Sequence, residues 1–191
     1  YEHIGFSGAG AMDQFSFKFA QSLINNDGPA IEYTLIGPTI QFNTQNTFVI
    51  TGGSVNALLN NKTISMNSVI LAEKGDILKI GAITKGARGY LTFGHSINVP
   101  SIAESYATHT RSSIGGFKGR KLLANDVITV KINNDFKENI GKTIHLQDDL
   151  LPENNIIHIL QGPQFEAFSE EARAKIVNHP YLITEQSDRM G

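Results

Sequence analysis

Cysteine is absent from the 191 residues, which removes disulfides, thiolate metal sites and cysteine nucleophiles together and permits a reducing compartment. Proline is sparse, with 6 residues against 18 glycines, a balance that suits many tight turns without implying disorder. No apolar run approaches the length needed to cross a bilayer. The opening Tyr1-Glu2-His3-Ile4 lacks the basic and then apolar pattern of a signal peptide, so a cytoplasmic protein with no membrane contact is expected. The first residue is not Met, which leaves open a start further upstream. Positive charge is not in excess either: the net charge is -2, and only Lys118-Gly119-Arg120-Lys121 forms a local basic cluster. A surface for tracking nucleic-acid phosphates is therefore not expected. Histidines at 3, 95, 109, 145, 158 and 179 show no paired ligand spacing and no carboxylates cluster around them, so no metal is expected.

What is present is long enough to bury one large domain, or one domain and part of a second. The stretch Gly5-Phe6-Ser7-Gly8-Ala9-Gly10-Ala11-Met12 is a small-residue loop whose backbone N–H groups can approach a ligand or another chain. Asp13 then reads as a helix cap, with Phe15, Phe19 and Leu23 recurring at i, i+4, i+8 beside Ala20 and Ile24, and with a stop at Asn25-Asn26-Asp27-Gly28. After this helix the pattern is mainly β with few helices. Strands are predicted at Ile31–Ile36, stopped by Gly37-Pro38, then at Thr39–Phe42, at Thr47–Thr51, stopped by Gly52-Gly53, and at Ser68–Ala72, Ile77–Ile80 and Ala87–Phe93. In the last of these Tyr90 and Thr92 share one face and Leu91 and Phe93 the other, which suits a strand buried on both sides. Periodicity fades from Gly94 to Arg120, as expected of a long functional loop, and Val127–Ile132 restores the sheet. A polar change of composition follows, placing a first domain at 1–135, a linker at 136–155 and a second unit at 156–191. The second unit opens with a predicted strand at Ile156–Leu160, continues with a helix capped by Ser169 and ends with a strand at Tyr181–Thr184. About 40 residues are too few for a stable domain, so the second unit reads as cut off.

Three motif readings of these loops fail at identifiable residues. Gly8-Ala9-Gly10 would begin a dinucleotide fingerprint, but Asp13 occupies the third small position and would repel a pyrophosphate. Gly5-Phe6-Ser7-Gly8-Ala9 ends in Ala9 where a nucleophile elbow has glycine, so Ser7 reads better as part of a tight turn. Gly141-Lys142-Thr143 has Phe136 where a phosphate loop needs its first glycine. His95 and His109 lie in the long loop, where an imidazole can act as acid or base, against the plainer reading of solvated histidines. Arg88, Arg111 and Arg120 are candidates for a carboxylate or phosphate clamp. Glu32, inside an apolar strand, faces solvent, pairs with an arginine or serves a site. Candidates for contact with a substrate are Ser7, Gly8, Asp13, Glu32, Arg88 and Gly116; candidates for catalysis are Arg120, Arg111 and His109.

The order and spacing of several short pieces resemble one family. They are Gly10-Ala11-Met12-Asp13, Ile31-Glu32 with Thr34-Leu35 and Gly37-Pro38-Thr39, Thr51-Gly52, and Gly86 with Arg88-Gly89-Tyr90-Leu91. Val99-Pro100, Gly115-Gly116-Phe117-Lys118-Gly119-Arg120-Lys121-Leu122, Gly162-Pro163-Gln164 and Ser187-Asp188-Arg189-Met190-Gly191 follow. Together they are similar to the biotin-dependent carboxyltransferase-like proteins: the C-type subunit of bacterial ATP-dependent 5-oxoprolinase, the kinase-inhibitor antagonist KipA, allophanate hydrolase subunit 2 and part of the carboxyltransferase region of urea carboxylase. The resemblance implies a cyclophilin-like β-barrel followed by the start of a second similar barrel, with a leading strand segment and most of that second barrel lacking from this chain. It implies a hetero-oligomer with a B-type (KipI-like) subunit, a small amide substrate such as 5-oxoproline, and ATP with Mg in the complex. It equally admits a KipA-like regulator that relieves kinase inhibition, or a carboxyltransferase using carboxybiotin. Two departures stand out: Glu104-Ser105-Tyr106-Ala107-Thr108 replaces a Gly-Ser-Arg-Ser-Thr type run, and His95-Ser96 stands where glycine-rich sequence is usual. The segment Ser187–Gly191 has a composition like that of the opening loop, as related elements of a duplicated fold would.

Overall fold

The longest element is a strand that the sequence pattern splits in two. In the computed structural model, which describes residues 9–145, 156 and 158–182, helix α1 (Gln14–Ile24) precedes strands β1 (Ile31–Thr34), β2 (Ile36–Gln41), β3 (Asn46–Val55), β4 (Leu58–Leu59), β5 (Lys62–Thr63), β6 (Ile70–Ala72) and β7 (Ile77–Phe93). Strands β8 (Ser96–Ile97) and β9 (Val130–Lys131) and helix α2 (Glu170–Asn178) follow. The predicted strands at Ile77–Ile80 and Ala87–Phe93 are one strand of 17 residues. The polar stretch between them stays paired, because the chain bends there through glycines 81 and 86 at φ +78 and +92 instead of leaving the sheet. That bend lets one strand pair with four others. Its first half pairs with β2 and β4, its second half with β1 and β3, and β6 adds to β3, all antiparallel.

The same logic moves two other predicted stops. Gly52-Gly53 does not end β3, which continues to Val55 across register shifts between Gly52 and Val55. The break between β1 and β2 falls at Leu35, at φ 60, and not at Gly37-Pro38. Leu35 donates its N–H to the Ala87 carbonyl and accepts from Ile83 N–H, so the kink is bonded on both sides to β7. Both Pro38 and the exposed Ile36 then lie within β2, which a proline tolerates where its missing N–H is not needed for the ladder.

The first six residues of β3 and residues 89–93 of β7 are buried on both faces. Phe48, Ile50, Leu91 and Phe93 join Phe42, Leu78 and Ile80 in the main core, while Val49 packs with Ala20, Leu23 and Ile24 of α1 and with Val69. The alternation of Tyr90 and Thr92 against Leu91 and Phe93 holds, all four being buried. The inward face of α1 differs from its apolar spacing: Ser16, Ala20, Leu23 and Ile24 are buried, whereas Phe15 is exposed and stacks on Phe19 with ring centroids 6.0 Å apart. Small Ser16 and Ala20 allow the helix to approach the sheet closely, and a phenylalanine in that row would hold it off.

Val127–Ile132 does not restore the main sheet. Only Val130 and Lys131 are paired, with β8 in a separate two-stranded ribbon, and Val127 and Ile132 are exposed. The first compact unit runs from Tyr1 to His145. Residues 136–145, polar in composition, are bonded into it: Thr47 donates to the Phe136 carbonyl, Gly141 N–H to Val69, Val69 N–H to Lys142, and Thr143 to Ser68. In the second unit, Leu146–Gly191, Ser169 caps α2 by accepting from Ala172 N–H, as its position predicts. The strand predicted at Ile156–Leu160 is not found among the described residues there. Tyr181 and Leu182 are likewise not in a strand, and the remainder of that prediction, together with Ser187–Gly191, lies outside the described residues.

Candidate functional site

A polar row crosses three adjacent strands at one register. Glu32 of β1 pairs with Tyr90 of β7, and Tyr90 pairs with Thr51 of β3. Each of the three reaches the head of α1. Glu32 Oε2 accepts from Met12 N–H at 2.8 Å, Tyr90 Oη accepts from Asp13 N–H at 2.7 Å, and Thr51 Oγ1 donates to the Ser16 carbonyl at 2.8 Å. Tyr90 also donates its hydroxyl proton to Glu32 Oε2 at 2.9 Å. Burial, with the Glu32 carboxylate beside it, pushes the Tyr90 phenol well above its usual range, so it stays protonated. Asp13 is the helix cap, its Oδ1 accepting from Ser16 N–H at 3.0 Å and its Oδ2 from the Ser16 hydroxyl at 2.5 Å.

Arg88, two positions before Tyr90 on β7, lies 3.6 Å from Glu32 Oε1 and donates to Thr34 Oγ1 across the strand pair. Glu32 therefore pairs with an arginine, the commonest fate of a strand carboxylate. Its side chain and that of Arg88 are 26% and 35% exposed, so the pair sits at the surface and within reach of a ligand. Three of the predicted contact residues, Asp13, Glu32 and Arg88, are thus brought together. Tyr90 and Thr51, which join them, are not singled out by their types: a tyrosine and a threonine in apolar strands read as core. The usable signal is their alternation onto the helix-covered face. Ser7 and Gly8 lie outside the described residues.

The other candidates occupy the loop after Val99, where most are committed to holding that loop. Arg120 makes a two-pronged pair with Asp126, Nη1 to Oδ2 at 2.7 Å and Nη2 to Oδ1 at 2.8 Å, and donates to the Lys121 carbonyl. The guanidinium, with the Leu123 N–H, holds the Asp126 carboxyl well below the usual carboxylate range. Through this fork Arg120, a candidate anion clamp, braces the loop. Gly116 sits at φ +50 with Thr108 Oγ1 only 1.8 Å from where a Cβ would stand, so the fold itself demands the glycine. His109 Nδ1 caps the turn Thr110–Ser112 by accepting from Ser112 N–H at 3.2 Å, and Arg111 in that turn is exposed. Glu104, standing where related sequences are expected to have glycine, adopts φ 61 in the tight Ile102–Ser105 turn. Left-handed backbone at that point is what a glycine would supply without strain.

His95 is not a solvated loop histidine. It is 5% exposed, its ring lies 4.0 Å from that of Phe136, and its Nδ1 accepts from Asn133 N–H at 3.1 Å. That bond needs an unprotonated Nδ1, and burial holds the imidazole below its ordinary pKa. The unfolded chain then binds the proton more readily than the folded one. Stability from this group is complete above about pH 6.5 and lost as pH falls from there through the lowered value. Unfolding in urea at about pH 7.5 and about pH 5.5, on either side of the ordinary imidazole value, should show wild type losing more stability on acidification than His95→Gln, whose side-chain oxygen accepts without titrating. Equal losses would show that the ring does not carry the effect.

The family model for the carboxyltransferase domain, subdomains A and B, matches residues 4–191. The chain belongs to this carboxyltransferase-domain family. It is 35% identical over 200 residues to urea amidolyase of Saccharomyces cerevisiae, a match covering 100% of this chain and 11% of that one. It is 29% identical over 194 residues to the C-type subunit of 5-oxoprolinase from Escherichia coli, covering 100% of this chain and 61% of that one. The crystal structure of Kluyveromyces lactis urea carboxylase matches with a TM-score of 0.64 and 33% identity, over 71% of this chain and 12% of that one. The polar row and the Arg120 brace thus belong to a carboxyltransferase-domain fold that is mainly β, and the chain spans less than two thirds of each of these relatives. No helix among the described residues is long and apolar enough to cross a membrane.

Proposed function

We propose that this chain acts as the C-type subunit of an ATP-dependent complex of the 5-oxoprolinase kind, working on a small amide with a B-type partner in the cytoplasm. The observation that carries the reading is the match to the C-type subunit of 5-oxoprolinase across the whole chain and 61% of that relative's length. The Arg88–Glu32 pair supports it. An amide presents one acceptor, its carbonyl oxygen, and one donor, its N–H. An arginine with N–H donors beyond those spent on Glu32 and Thr34, set beside a carboxylate 3.6 Å away, offers the complementary pair. Positive charge at the carbonyl oxygen also favours the charge that develops there when the amide is activated.

ATP with Mg belongs to the reading as cofactors of the complex. Gly141 and Thr143 of this chain are bonded to Val69 and Ser68, and the reading gives this chain the binding and orienting of the amide. A second reading, carboxyl transfer to urea, is favoured by the 35% identity to urea amidolyase. Purified protein with its partner subunits should hydrolyse ATP in response to 5-oxoproline. Turnover with urea and bicarbonate alone would move the assignment to the second reading, and turnover with neither amide would overturn both.

A further inference from the structure

We infer that Tyr90 and Glu32 are positioning residues: their shared hydrogen bond sets where the backbone of Met12 and Asp13 stands relative to the sheet, beside the Glu32–Arg88 pair. The inference deepens the functional reading above and rests on it for the substrate, though not for the positioning.

Three observations carry it. First, two consecutive backbone N–H groups, at Met12 and Asp13, are held by side chains of a directly paired cross-strand couple. Secondary structure would leave these donors without partners, since they precede the first turn of α1. Second, the phenol acts in both directions, accepting from Asp13 N–H and donating to Glu32 Oε2. Such a chain of bonds is stronger than its members taken singly. Third, the hydroxyl is not needed for what else this region does. The ring of Tyr90 packs 6.0 Å from that of Phe17, which a phenylalanine would also do, and the helix is capped by Asp13 and Ser16 without it.

Catalysis is sensitive to such placement, because a shift of about 1 Å in a positioning element can cost on the order of 100-fold in rate. Tyr90→Phe is the direct test, with amide hydrogen exchange and steady-state kinetics measured on the protein with its partner subunits. Exchange at Met12 and Asp13 should rise by about 10-fold or more while β7 amides keep their protection, and kcat/KM for 5-oxoproline should fall by roughly 10- to 100-fold. Thr92→Val, on the same strand and face but with no bond to the loop, should leave both readouts unchanged. Glu32→Ala, which removes the oxygen that accepts from both the Met12 N–H and the Tyr90 hydroxyl, should raise exchange at Met12 and Asp13 in the same way, and it decides the matter if Tyr90→Phe fails to fold. Unchanged exchange at Met12 and Asp13 in a folded variant would overturn the inference, as would an accelerated exchange with kcat/KM intact. If wild type turns over no amide, the functional reading fails and exchange alone decides the positioning role.

Discussion

Phe48→Ala is expected to lower the unfolding free energy by about 3–5 kcal/mol, the usual cost of removing a buried phenylalanine. Phe48 has no exposed surface, pairs with Phe93 on β7 and with Ile70 on β6, and its ring lies 5.5 Å from that of Phe42. Phe42 in turn meets Phe93 edge-on at 6.2 Å, so the three rings form one contact set at the end of β7. The alanine would leave a space bounded by two aromatic rings and by backbone held in the ladder on both sides, neither of which can close it. For a domain whose whole stability is about 5–15 kcal/mol, such a loss is a large share. Phe15→Ala, at an exposed site, should change stability by about 0.5 kcal/mol or less. Urea unfolding of both variants checks the contrast, and a loss below about 1 kcal/mol at Phe48, well short of the usual cost, would show that the ring set is not the centre of the core.

That contrast also marks where sequence pattern and structure part. Phe15 and Phe48 are the same residue type, and period alone places Phe15 on the buried face of its helix. What overrides it is the close approach of α1, made possible by Ser16 and Ala20, a tertiary effect that spacing does not encode. Turn chemistry is legible where it is local: Asp13 and Ser169 cap their helices. Glycines mislead in the opposite sense, because Gly52-Gly53 looks like a stop and lies inside β3. For the site, ionisable residues are visible as types, and Asp13, Glu32 and Arg88 do meet. The organising members, Tyr90 and Thr51, stay hidden because register across three strands decides their role, and register is a property of pairing. Arg120 shows the converse, a conspicuous charge whose partner, Asp126, lies only six residues on and turns it into a brace.

Gly89→Ala should be destabilising by about 1–3 kcal/mol, through overpacking and not through backbone strain. Gly89 has no positive φ, so alanine is free to adopt its conformation. What stands in the way is Tyr33, its cross-strand partner on β1: a Cβ at position 89 would lie 2.2 Å from Tyr33 Cζ and 2.3 Å from its hydroxyl oxygen. The ring cannot swing aside, being 6% exposed and packed in the main core, and burial has pushed its pKa up to about 12. Tyr33→Val removes the ring, so Gly89→Ala should cost less in that background, with a coupling of about 0.5–3 kcal/mol between the two sites. Tyr33→Phe keeps Cζ and should give no such relief. A cost at Gly89 that is the same in all three backgrounds would mean that the ring of Tyr33 is not what calls for glycine there.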